Sequence, residues 1–133
     1  MKYVYLYWVF FLSVSFSQGA FCAQWQNLGF NQDLKLTIFY EVPPVKKSSN
    51  AVLARVLYNY DQPSIDLKIR HFSELETLQF DCKKFQFQLQ SVDWYDAPMG
   101  QGAVVWHTQN LETQTVPPAR TAYDKVFRIA CKK

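Results

Sequence analysis

The sequence predicts an α+β domain: an antiparallel, mostly sequential β-sheet of about six strands, with one C-terminal helix packed on one face and tied to it by a disulfide. Three observations carry this. Apolar and polar residues alternate with period two through the middle of the chain. The last segment changes to a spacing of three and four residues, the stripe of an amphipathic helix. Two of the three cysteines, Cys82 and Cys131, fall one in a strand-like run and one in that helical segment.

The chain opens with Met1 and Lys2, then runs YVYLYWVFFLSVSF with no charge. A basic start, an apolar stretch and small residues at its exit describe a secretory signal peptide. The apolar run is shorter than the roughly 20 residues of a membrane-spanning helix. The expected division is a signal peptide over residues 1–22 and a single domain over 23–133. Both Ser17-Gln18-Gly19 and Ala20-Phe21-Cys22 fit the small-residue rule at the cleavage point. Losing Lys2 leaves 13 basic side chains from 14 against 11 acidic, a balance of +2. That excludes the strong basic footprint of a nucleic-acid binder. The mature length supports one core, and no repeat or linker divides it.

The strands follow in order. LKLTIFYE, from Leu34, sets Leu34, Leu36, Ile38 and Tyr40 on one side. EVPPVKKSSN reads as a loop rich in proline, lysine and serine. AVLARVLYNY places Val52, Ala54, Val56, Tyr58 and Tyr60 on one face, with Leu53 and Leu57 opposing them, so that strand is covered on both sides. DQPS, from Asp61, supplies turn chemistry. IDLKIRHF gives the cleanest alternation in the chain, HFSELE reads as a break, and TLQFDC as a further strand. Lys83-Lys84 makes a polar corner or bulge. FQFQLQSVDWYD turns Phe85, Phe87 and Leu89 inward; Val92 and Trp94 join them only if a β-bulge adds one residue near Gln90–Ser91. APMGQG is a turn, and AVVWH pairs back as a hairpin partner.

In TAYDKVFRIACKK the residues Tyr123, Val126, Phe127, Ala130 and Cys131 share one helical face. Thr121 is a suitable N-cap and Asp124 a favourable charge at the N-terminal end. Pro117 and Pro118 prevent an earlier start. An exported chain favours disulfides, and three cysteines leave one over. The economical pairing joins Cys82 to Cys131, with Cys22 discarded at cleavage or lipidated. It would staple helix to sheet and, by closing a loop of about 50 residues, stabilise by about 4 kcal/mol.

No set of residues assembles into an active site. The two histidines, His71 and His107, read as a buried structural residue and an exposed strand-end residue. Asp93 and Asp96 sit three apart on a strand, on opposite faces, which is poor geometry for shared acid–base work. No HExxH, CxxC, GxSxG or glycine-rich phosphate loop is present. The expectation is a non-enzyme with no cofactor and no metal. Aromatic residues are abundant by contrast, and a surplus on the outer sheet face (Phe39, Phe72, Tyr95) would offer a patch to a partner or a second copy.

The order of motifs matters here: FDC at Phe80, WYD at Trp94, Gly100 and Gly102 leading into AVVW, then VPPARTAYDKVFRIAC. With Ala54-Arg55 to Tyr60, this order over residues 50–131 resembles the surface-adhesin protein E family of bacterial envelope proteins. The resemblance implies an antiparallel sheet with a C-terminal helix and a Cys82–Cys131 bond. It also implies the envelope of a Gram-negative bacterium, with a founding member that binds host matrix and serum proteins such as vitronectin and laminin and can dimerise. Phe21 before Cys22 departs from a lipoprotein signal, so the periplasm is the first expected location and the outer-membrane surface the second. Basic segments serve such adhesins as contact sites, which makes Lys46, Lys47, Lys83 and Lys84 the candidate partner-binding residues. The expected function is that of an exported binding protein engaging a protein partner through a sheet face or edge. It would bind no nucleic acid, keep no transmembrane segment once mature, and have homodimerisation open to it. The alternative is a periplasmic inhibitor or accessory subunit of another envelope protein.

Overall fold

The computed structural model describes residues 24–109, 113–114 and 116–132; the expected signal peptide lies outside the described residues. The strands are β1 (Gln24–Asn31), β2 (Leu36–Val42), β3 (Val45–Lys46), β4 (Ala51–Asp66), β5 (Ile69–Asp81), β6 (Gln86–Tyr95), β7 (Val104–Gln109) and β8 (Thr113–Gln114). One helix, α1 (Ala122–Ala130), follows them. All pairs are antiparallel, and the six long strands lie in the order β1-β2-β4-β5-β6-β7. Two-residue β3 extends the β2 edge of β4, and β8 extends the β7 edge of β6. This is the sequential sheet with a terminal helix that the sequence predicts.

Directly paired residues share a face. Val52, Ala54 and Val56 of β4 therefore meet Phe80, Leu78 and Glu76 of β5, which meet Phe87, Leu89 and Val92 of β6. α1 covers this face with Val126, Phe127 and Ala130. Phe127 stands edge-on to Phe80 at 5.4 Å, and the Tyr123 ring lies 5.1 Å from Phe87. Thr121 caps the helix by accepting from the Asp124 N–H at 3.3 Å. The bulge in β6 is also as expected: Thr77 pairs with Ser91 but Leu78 with Leu89, so Gln90 is the extra residue. It brings Val92 and Trp94 back into phase with Phe87.

Among the described residues, the opposite face is covered in its middle. The 3-10 turn Pro98–Gly100 folds back over it, and the backbone N–H groups of Met99 and Gly100 donate to Asn59 Oδ1 and Ser73 Oγ. Leu57, Ser73 and Leu75 are buried there. The two-sided burial expected for the strand from Ala51 thus holds at Leu57.

Six expectations need correction. The chain adds a first strand, β1, whose alternation is broken where Asn27 pairs with Phe39 and Gly29 with Ile38, leaving Leu28 unmatched. Leu34 is not in β2 but in the preceding turn, 63% exposed, because Asn31 Oδ1 accepts from the Asp33 and Leu34 N–H groups and ends β1. DQPS does not reverse the chain; it bulges within β4, between the pairs Asn59–Ser73 and Ser64–His71. The reversal comes at Leu67-Lys68, both at positive φ, so IDLKIRHF is a hairpin and Ile65 and Leu67 are exposed. HFSELE is no break: β5 runs unbroken through it, with the Tyr123 hydroxyl donating to Glu76 Oε1 and the Tyr60 hydroxyl to Glu74 Oε2. Phe85, expected inward, sits at φ +55 in the turn before β6 and is 57% exposed. The proline-rich loop from Glu41, finally, contains β3 rather than being loop throughout.

Candidate functional site

Three places on the molecule bring polar chemistry together. The first is inside, under the start of α1. Glu76 faces the helix from β5, and the Tyr123 hydroxyl donates to its Oε1 at 2.9 Å. Tyr58 of β4 faces the same carboxylate, whose Oε2 is buried without a hydrogen-bond partner among the described residues, and Glu74, two residues away, adds like charge. Burial and then Glu74 push the Glu76 carboxyl up to about 7, against the pull of the two tyrosine hydroxyls. Burial, then the facing carboxylates, push both tyrosines above their ordinary range. The group is protonatable near neutrality, yet it is packed among Val56, Val92 and the helix, with no access for a substrate. Beside it, His71 is fully buried and stacks on Trp94 at 4.4 Å, and Trp94 in turn lies 4.3 Å from Trp106. His71 is the structural histidine that its place in the sequence suggests.

The second is on the opposite face. Arg55 forms a two-bond pair with Glu41 and lies over Trp25 at 5.9 Å. Across β6 and β7, His107 Nδ1 is 2.6 Å from Asp93 Oδ1. Sequence reading missed this pair, because Asp93 was weighed only against Asp96; cross-strand register, not spacing, creates it. No serine, threonine or cysteine among the described residues bonds His107, so the pair lacks a nucleophile. Asp96 instead holds the turn, accepting from the Ala103 N–H at 2.8 Å.

The third is a groove of about 770 Å³ at the C-terminal end of α1. Its floor is apolar: Val52, Phe127, Ala130 and the Cys82–Cys131 disulfide, whose Cα atoms are 5.4 Å apart. The bond joins the turn after β5 to the C-cap of α1. Phe85 forms one wall, its ring 6.1 Å from that of Phe127. Lys46 of β3, Lys83 of the β5–β6 turn, Arg128 and Lys132 line the sides, and no acidic residue does. The turn is fixed by Asp81, whose Oδ1 accepts from the Lys83 and Lys84 N–H groups at 3.0 and 2.9 Å. Ser48 Oγ accepts from the Asn50 and Ala51 N–H groups and shapes the other bank.

Of the four lysines singled out in the sequence, the structure brings Lys46 and Lys83 into this groove; Lys47 and Lys84 are exposed outside its lining. Sequence reading did not single out Arg128, Lys132 or the Phe85 wall. A helical wheel carries part of that signal, since Arg128 and Lys132 are four apart at the end of the helix.

Among the described residues no group of three or more histidine, cysteine or acidic side chains is placed to hold a metal ion, and no helix is long and apolar enough to cross a membrane. The model of the surface-adhesin protein E family matches residues 25–132, nearly the whole described chain. No curated protein and no solved structure matches it. The chain belongs to the surface-adhesin protein E family.

Proposed function

We propose that this member of the surface-adhesin protein E family is an exported, non-enzymatic binding protein of the bacterial envelope that engages a protein partner. Family membership over residues 25–132 supports an envelope binding role. The observation that carries the reading to particular residues is the convergence of Lys46 and Lys83, from distant parts of the chain, on one recessed surface beside the helix. Host matrix or serum proteins are the partners considered first, and the periplasm or the outer-membrane surface the location.

The buried Glu76 and the exposed His107–Asp93 pair support the non-enzymatic reading, since one is closed to substrate and the other lacks a nucleophile. The test is affinity capture of envelope and host matrix proteins on the purified exported protein, followed by mass spectrometry. Retention of one specific protein, reduced when Lys46 and Lys83 are neutralised, is the expected outcome. Retention of nothing, or loss of a measured catalytic activity on His107→Ala with folding intact, would remove this reading.

A further inference from the structure

The groove at the end of α1 does more than gather positive charge, because its floor and its rim have different chemistry. We propose that it is the seat of an acidic peptide segment of the partner, with one apolar side chain inserted against Phe85, Phe127 and the Cys82–Cys131 bond and its carboxylates held by Lys46, Lys83, Arg128 and Lys132. This rests on the binding role above and assigns it a surface and a ligand chemistry.

Charge complementarity comes first. Four basic side chains line the groove and no acid does. The ammonium groups of Lys46, Lys83 and Lys132 have no ion-pair partner among the described residues; Arg128 shares Asp124, 3.0 Å away, with its own helix. Lysines without an ion pair, in a groove that no acid lines, favour an anionic occupant.

The floor decides which anion. A phosphate headgroup or a sulfated glycan brings negative charge but no apolar side chain to place on Val52, Phe127 and Ala130. An acidic peptide brings both. A volume of about 770 Å³ suits an anchor side chain with its flanking residues rather than an extended protein face. Phe85 supports this further. It is a large aromatic 57% exposed at the mouth, held at φ +55 where a phenylalanine is strained, and its ring is already paired with Phe127. An exposed aromatic beside a buried one is a surface ready to close over an inserted side chain.

Fluorescence anisotropy with two labelled peptides tests this on the disulfide-intact exported protein. One carries a phenylalanine between runs of aspartate and glutamate; the other has glycine in its place. The first peptide binds, more tightly at low salt, and the glycine peptide binds at least about tenfold more weakly. Lys46→Gln with Lys83→Gln weakens the first peptide about tenfold, while Lys47→Gln with Lys84→Gln, which removes the same charge, changes it less than about twofold. Phe85→Ser removes the preference for phenylalanine. Circular dichroism and intact mass establish that each variant is folded and oxidised.

Equal losses from the two lysine pairs would overturn the proposal, because the attraction would then belong to net charge. Equal affinity for the two peptides would overturn it too, as would stronger, groove-dependent binding of heparin or of phosphatidylglycerol vesicles. A protein that captures its partner yet binds neither peptide would sink the groove assignment and leave the binding role standing.

Discussion

Glu76 shows how one side chain can couple pH to the fold. It faces Tyr58 from β4, Glu74 from its own strand, Val92 from β6 and Tyr123 from α1. Burial and Glu74 raise its carboxyl from 4.5 to about 7 in the folded protein. Between those values the folded state holds a proton that the unfolded chain has released, so stability falls as pH rises through the window and levels off above it. The shift corresponds to a loss on the order of 3 kcal/mol. Urea unfolding across that range should show the decline, and Glu76→Gln, an uncharged near-isostere, should flatten the difference attributable to this site. A variant whose pH profile parallels the native one would refute the assignment. Gly102 is constrained in another way. At φ +78, an added Cβ would stand 2.1 Å from Asp96 Oδ1, the atom that holds the Ala103 N–H. Gly102→Ala should cost about 1–3 kcal/mol by strain and by loss of that hydrogen bond, read as a lowered denaturation midpoint.

Among the elements, the β4–β5 hairpin turns on two residues poorly suited to the task. Leu67 and Lys68 both adopt positive φ between the paired Asp66 and Ile69, as a type I′ turn requires. Replacing them with Asn-Gly should stabilise the protein by about 1 kcal/mol, with unchanged β-sheet circular dichroism and a higher melting temperature. The same mismatch explains why the hairpin was illegible in the sequence: Asp61 to Ser64 has the turn chemistry and Leu67-Lys68 does not, so the reversal was placed six residues early. The β6 bulge was legible, because Phe87, Leu89, Val92 and Trp94 are large enough for their phase to show the inserted Gln90. The helix was legible through its cap, its prolines and its apolar stripe. β1 was not, since the extra residue at Leu28 breaks its period. Nor was the continuity of β5, because two core-facing glutamates look like a loop until Tyr60 and Tyr123 are seen opposite them.

At the scale of the whole molecule, the candidate site belongs to no single element. Residues 46–50, the turn at 82–85 and the end of α1 meet only once the meander is built and the helix is laid across it. The lysine pairs were visible in the sequence, but which member of each faces the groove depends on the Asp81-anchored turn and on the pairing of β3 with β4. The disulfide links site to stability. A nine-residue helix is marginal alone, so α1 depends on Val126, Phe127 and Ala130 against the sheet and on Cys131 at its end. Cys82 and Cys131 are 49 residues apart, and a loop of that length corresponds to about 4 kcal/mol in the chain-entropy model. Cys82→Ser with Cys131→Ser should therefore lower stability by about that amount under denaturant. Hydrogen exchange should rise more in α1 than around the Leu57–Leu75 pair in the middle of the β4–β5 ladder, which keeps its pairing without the helix end. Acidic-peptide binding should weaken in parallel, because the groove loses its floor as the helix end loosens. Uniform acceleration across α1 and the sheet would mean instead that the molecule opens only as one unit. Unchanged stability would mean that apolar packing alone holds the helix in place.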